Sequence, residues 1–465
     1  MPAASPRPVI TIVGGGFAGT ALALALARQP GPLAADIHLL EPRPASGPGL
    51  AYLTERPEYL LNVRAGALSV LPDEPAHFAA WLATQPESDG GAPEFAARAT
   101  YGRYLHQTLA SVLDRPLPNG CRVRWHNQAA TAAPARPEGR RAVRLAGGGE
   151  LLSDYVVLAL GNFAPPPPVG PDQRYLAHPG YHGDPWAPGL LGRIGADEPV
   201  LLIGSGLTAV DVLLGLRQTG HRAPIMVVAR HGRWPAVHGP ATASYPRFYE
   251  ELAGKATVLE VLAELRHHVR GAAAQGLDWR PVLDALRPDL GRIWAAWPLA
   301  EQARFLRHLG SIWSVLRHRS PPQNAAAIAE MTAAGQLKLH AGRVNALEPC
   351  GPELRVQACP NAAPACWLRA RHVINCTGPL LDYHRIRTPL VSSLRAAGEL
   401  QPDSLGLGIL TNEHGALLRA AGPASPDLFT LGASRRPAYF ESTAVPELRQ
   451  QAAALATELS RRLLH

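Results

Sequence analysis

The sequence predicts an α/β chain made of two parallel-sheet units of one kind, on three observations. A glycine-rich segment lies between an apolar strand and a helical run near the N-terminus, and a second such segment recurs about 190 positions later. Each is followed by another short apolar strand that ends in a charged residue, Glu41 in the first unit and Arg230 in the second. Two later strand segments, Tyr155 to Asn162 and His372 to Pro379, end in the small-residue turns Leu160-Gly161-Asn162 and Thr377-Gly378-Pro379. A chain crossing between units at such turns lets backbone approach a ligand closely.

The first unit opens with the strand Val9 to Val13, then Gly14-Gly15-Gly16-Phe17-Ala18-Gly19 and an Ala/Leu-rich helical run to Arg28. Gly14 permits the tight strand-to-helix turn. Gly16 lets the backbone approach a pyrophosphate seated on the helix N-terminus, where free N–H groups and the helix dipole favour an anion. Gly19 lets helix pack on strand. The next strand, Asp36 to Leu40, ends at Glu41, 27 residues after Gly14. A carboxylate there binds both hydroxyls of an unphosphorylated ribose. The second unit repeats the pattern with Val200 to Ile203 and Gly204-Ser205-Gly206-Leu207-Thr208, Ala209 taking the third small position. Its following strand, Pro224 to Ala229, ends at Arg230-His231, where a cation suits a 2′-phosphate. The expected pair is therefore two Rossmann-like dinucleotide-binding domains. The first takes FAD and the second NADPH, or NADH if Arg230 does not read the ribose.

Residues 1–190 are expected to form the first part of the FAD domain, leaving it through a proline run at Pro165 to Pro168. Residues 191–378 form the NAD(P)H domain, carrying a helical insertion over 245–331 rich in Trp, His and Arg. Residues 379–465 return to the FAD domain, with the strand Leu428 to Leu431, Gly432 at its end and a final helix from about Thr443.

The net charge of +8 comes almost wholly from scattered arginines, since Lys255 and Lys338 are the lysines among 45 basic residues. No dense basic run suggests nucleic-acid binding, although a positive field helps attract an anionic substrate. No apolar run reaches the ~20 residues that span a bilayer. No secretory segment precedes the first strand, so a cytoplasmic location is expected. The five cysteines form no CxxC, which argues against a disulfide-reductase type of electron relay. No metal site is expected: the adjacent His267 and His268 face different ways on a helix.

With both glycine-rich turns in place, the chain resembles the class B-type flavoproteins with two nucleotide-binding domains. More narrowly it resembles the FAD/NAD(P)-binding family that includes an FAD-dependent urate hydroxylase. The resemblance rests on Gly14 to Gly19, Leu61-Asn62-Val63 with Ser69, Tyr101 to Leu105, Gly204 to Asp211, Ala229 to Gly232, Asn375 to Pro379 and Phe440 to Arg449. It departs from the pattern at Leu160, where Thr is common. The resemblance implies a monooxygenase in which NAD(P)H reduces FAD and the flavin C4a-hydroperoxide formed with O2 transfers one oxygen to a small anionic substrate. Urate, giving 5-hydroxyisourate, is the first-choice substrate. The alternatives are an amino-acid N-hydroxylase of the same family, and a flavin reductase or NAD(P)H-sensing flavoprotein without oxygenation.

The candidate catalytic residues are Asn62, whose amide could support the flavin or its oxygen adduct, Arg64 for an anionic substrate, and Ser442 and Thr443. The last two are read as a helix N-cap pointing at the flavin pyrimidine. The cofactor set is Gly14, Gly16, Phe17, Ala18, Gly19, Glu41 and Gly432 for FAD, with Gly204, Ser205, Gly206, Leu207, Thr208, Arg230, His231, Thr377 and Gly378 for NAD(P)H, and Arg103 for NADPH phosphates or an anionic substrate. Arg233 is a further candidate for phosphate or substrate. The tryptophans at 279, 294, 297 and 313 are read as core and lid packing.

Overall fold

The computed structural model describes residues 7–43, 47–85, 94–170, 172–240, 244–359 and 364–464. Two five-stranded parallel sheets carry the architecture. In the first, the order is Leu428–Thr430, Tyr155–Leu158, Val9–Val13, Asp36–Leu40 and Arg122–His126. In the second it is Leu337–Ala341, Ile225–Ala229, Val200–Ile203, His372–Asn375 and Tyr181–His182. The central strand Val200–Ile203 is an unbroken apolar run and Val9–Val13 departs from one only at buried Thr11, as strands covered on both faces require. The helix Phe17–Ala27 is buried nearly all round, which explains its run of Ala and Leu. Its core is shared with Ala452, Leu455, Ala456 and Leu459 of the C-terminal helix Val445–Leu463, so the return segment closes the first domain. A three-stranded antiparallel sheet flanks each unit.

Two expected boundaries move. The short strand Tyr181–His182 pairs with His372–Asn375, so residues up to 190 do not all belong to the first domain. The crossing lies near Phe163, which bridges Leu380 on the returning segment, so the two linkers meet there. Nothing local marks a two-residue edge strand, which is why the sequence puts the boundary too late. The helical insertion also ends earlier than 331. The helix Pro322–Ala333 places Ile328 and Met331 in the core of the second nucleotide domain, with Val200, Leu202 and Leu213. The insertion proper builds its own core from Val258, Val282, Trp294, Trp297 and Phe305. Leu407 and Phe440 of the return segment complete it.

A buried ion pair ties the two nucleotide domains together, Arg98 to Asp211 at 3.1 Å. Burial raises the Asp211 carboxyl to about 6, while Arg98 pulls in the opposite direction. Among the described residues no helix is long and apolar enough to cross a membrane.

Candidate nucleotide sites and the residues around them

The two glycine-rich turns have nearly the same backbone. Gly14 has φ +113° and Gly204 φ +103°, a region that L side chains avoid. A Cβ on Gly14 would stand 2.1 Å from the Ala159 carbonyl oxygen, and one on Gly204 2.5 Å from that of Cys376. Each turn thus nests against the strand that carries the chain to the other domain. Gly19 is equally constrained, since its Cβ would meet the Gly14 oxygen at 1.9 Å. Gly16 and Gly206 differ. They are the N-caps of their helices, with no side-chain cap and no acidic residue in the first turn. A Cβ on Gly206 meets open space, and one on Gly16 comes no nearer than 3.5 Å to Gly49. Two helix N-termini with uncapped amides and space before them fit a dinucleotide pyrophosphate.

At the first site Glu41 is buried and accepts a hydrogen bond from the Gly15 amide at 3.0 Å, so its carboxylate stands beside the turn. Arg43 also holds it, through the backbone N–H and the guanidinium. Phe17 is buried and Ala18 half-buried at the start of the helix. Gly432 lies 3.4 Å, measured from the position of its would-be Cβ, from the Ala18 methyl. Arg103 is exposed on the helix Arg98–Ala110.

The second site is a cavity of about 680 Å³, within the range of small-molecule sites. Gly204, Ser205, Gly206, Leu207, Thr208, Thr377 and Gly378 form one wall. The Ser205 hydroxyl donates to the Arg233 carbonyl at 2.6 Å, and Thr377 is held by Asn375. Arg230, His231, Arg233 and Arg343 also line the cavity. Arg343 is absent from the sequence reading. It follows the strand Leu337–Ala341, which lies beside Ile225–Ala229 with Ala341 opposite Ala229. Arg230 and Arg343 therefore extend from the ends of neighbouring strands. A signal existed in Ala341-Gly342-Arg343, but it carries meaning only once the strand order is known. Among the described residues, Arg230, Arg233 and Arg343 have no carboxylate partner. Arg43 and Arg64, by contrast, are paired with Glu41 and Glu94.

Asn62 and Arg64 sit on the seam between the domains. His238 Nε2 donates to the Asn62 carbonyl at 3.0 Å, and Arg64 donates to the Gly239 carbonyl while pairing with Glu94. Burial keeps the His238 imidazole below its ordinary value, which favours the neutral donor. The expectation that Ser442 or Thr443 caps the last helix is corrected. That helix starts at Val445 after Ala444, with no side-chain cap. Ser442 is fully buried, donates to the Gly432 carbonyl and accepts from Gln451 Nε2 at 2.8 Å. Gln451 in turn accepts from the Gly432 amide at 3.0 Å. Burial behind the strand end makes Ser442 a tie for the Gly432 turn, whereas Thr443 is exposed. Among the described residues a carboxylate–histidine trio gathers at Glu251, Glu264 and His268, and Lys255 pairs with Glu264 at 3.1 Å as its cation.

Residues 11–163 match the FAD-NAD(P)-binding family. Among curated proteins, none matches by sequence. Solved structures resemble the whole chain at low identity. The ornithine N-hydroxylase of Kutzneria sp. 744 is 14% identical with a TM-score of 0.62, covering 98% of this chain and 100% of that one. The FAD-bound cadaverine monooxygenase of the desferrioxamine pathway of Erwinia amylovora is also 14% identical, with a TM-score of 0.67 and coverage of 98% and 95%. The L-lysine 6-monooxygenase of Pseudomonas syringae is 19% identical, with a TM-score of 0.63 and coverage of 99% and 100%. The family match is confined to residues 11–163, while along its whole length the chain has the fold of two-domain flavoproteins.

Proposed function

We propose that the protein is an FAD-dependent, NADPH-using monooxygenase that hydroxylates an amine nitrogen. The observation that carries the reading is the cavity of the second nucleotide site. Three arginines without carboxylate partners surround a helix N-terminus that has no side-chain cap. Such a set fits a pyrophosphate on the helix and a 2′-phosphate at the strand ends. Buried Glu41 beside Gly15 supports an unphosphorylated ribose at the first site, as FAD requires. The amine assignment takes its support from the three similar structures, named as an ornithine N-hydroxylase, a cadaverine monooxygenase and an L-lysine 6-monooxygenase. Urate, expected from the sequence resemblance, gains no support from them.

When bound, FAD and NADPH supply hydride transfer and oxygen activation. The protein's part is to hold and to exclude water. The amides after Gly16 and Gly206 hold pyrophosphates. Arg230, Arg233 and Arg343 select the phosphorylated dinucleotide. Asn62 has its carbonyl engaged by His238, which leaves its side-chain amide to hydrogen-bond the reacting centre. Ser442 is a positioning residue that fixes the Gly432 turn against Ala18. Arg64, held by Glu94, steadies the seam. The test is NADPH oxidation by the FAD-loaded protein with a panel of amines, ornithine, aspartate and urate, with products identified by mass. A hydroxylamine product with matching O2 uptake is expected. Stimulation by urate alone, or oxidation that yields only peroxide with every compound, would refute the amine reading.

A further inference from the structure

A second cavity, of about 120 Å³, lies inside the helical insertion. Every side chain that lines it is Val, Leu, Ile, Phe or Trp. Such a wall offers no acceptor to an ammonium and, beyond the buried Trp297 indole N–H that has no partner, no donor to a carboxylate or a purine amide, so each would lose most of its hydration without compensation. A dry apolar space near 150 Å³ accepts a ligand the size of benzene. The chamber thus fits a compact hydrocarbon group of about six heavy atoms.

Its place in the fold gives it a role. Ile312, on the helix Gly310–Arg317, lines both this chamber and the nucleotide cavity, so the two share a wall there. The wall also includes Phe440, which comes from the return segment of the first domain. Phe440 has φ +58° and ψ −49°, and the Glu441 amide bonds the Tyr439 carbonyl at 2.6 Å across it. This is a γ-turn with positive φ at its centre, the rare and strained form. A bulky residue holds such a conformation only when its surroundings over-determine it, and strain of this kind gathers at ligand sites. Here the ring stacks on Trp294 at 4.7 Å and 22°, while Glu441 accepts from the Trp313 indole at 3.1 Å. Two residues further on, Ser442 ties the same segment to Gly432 beside the first glycine-rich turn. Tryptophans 294, 297 and 313 are therefore the walls of a chamber as well as core packing.

From this arrangement we propose that the chamber receives the apolar body of the substrate, which is a small hydrophobic amine, aryl-alkyl or branched alkyl. The charged nitrogen stays outside the chamber. The proposal rests on the monooxygenase reading for the reaction, but the chamber itself is tested by binding alone. Toluene is titrated into the FAD-loaded protein by calorimetry and by quenching of tryptophan fluorescence. Saturable binding is expected in the wild type, with at least a tenfold loss in Val261→Phe, which fills the chamber. Should Val261→Phe fail to fold, Leu265→Phe on the same helix makes the same measurement from a half-buried position. In the oxidation assay phenethylamine should stimulate NADPH consumption more than ornithine does, with toluene as a competitive inhibitor. No toluene binding, or equal binding by the filled variant, overturns the chamber. Toluene that binds without competing against a stimulating amine overturns the substrate assignment. Loss of toluene binding in the filled variant, with no amine stimulating oxidation in the wild type, upholds the chamber and defeats the monooxygenase reading instead.

Discussion

Replacing Arg343 by alanine should shift coenzyme preference toward NADH. Arg230, Arg233 and Arg343 are exposed residues around one cavity, and none is committed to a carboxylate among the described residues. Their side chains are therefore available to a phosphate, but water screens the interaction. An exposed ion pair contributes up to ~1 kcal/mol, and a charge-assisted hydrogen bond nearer ~2 kcal/mol. At about 1 kcal/mol, loss of one arginine lowers kcat/KM for NADPH roughly fivefold. Arg230→Ala and Arg343→Ala combined should lower it by roughly 10- to 30-fold, less than additive if both arginines hold one phosphate. NADH lacks that phosphate, so its kcat/KM should change less than twofold. Steady-state oxidation with both coenzymes, at low and at roughly tenfold higher salt, separates the terms. Salt should narrow the wild-type preference for NADPH, because the Debye length shrinks to about 3 Å at 1 M. Equal losses with both coenzymes, or no loss in the double variant, would refute the phosphate-reading argument and remove the main support for NADPH.

Gly16→Val should abolish FAD retention while leaving the fold intact, because the protein leaves room at that Cβ. Gly14→Ala and Gly19→Ala should instead unfold the first domain, since each would drive a methyl into a carbonyl oxygen, and a comparison of melting curves with flavin fluorescence distinguishes the cases. Ser442→Ala removes a buried donor to Gly432 and the acceptor of Gln451, at an expected cost of about 1–3 kcal/mol in chemical denaturation, whereas exposed Thr443→Ala should be silent. Asn62→Ala is expected to raise peroxide release per NADPH with little change in FAD affinity, and unchanged coupling would exclude Asn62 from the reacting centre. His182 is pushed down to about 4 by burial and by neighbouring His372. Its folded value lies below the free value of about 6.5, so the stability it contributes is present above pH 6.5 and lost as pH falls toward 4. His182→Gln should flatten the decline in melting temperature between pH 7 and 5.

How much of the molecule can be read before folding depends on how local the physical cause is. Two nucleotide folds, their strands, and the roles of Gly14, Gly19 and Gly204 follow from backbone sterics within a few residues, and the structure adds that those glycines stand against carbonyl oxygens. Glu41 is equally legible, because one strand and one turn set its distance from the glycines. Arg343 is not, since its partnership with Arg230 exists only after the strands Ile225–Ala229 and Leu337–Ala341 lie side by side. Ser442 looks like a helix cap in sequence. Its actual partner, Gly432, lies ten residues away and is reached only because the chain reverses through the γ-turn at Phe440. The apolar chamber is still less visible, because Val, Leu and Trp at helical spacing spell only a core. Whether packed helices leave a void is decided by how their side chains interdigitate in three dimensions, and no segment carries that information alone.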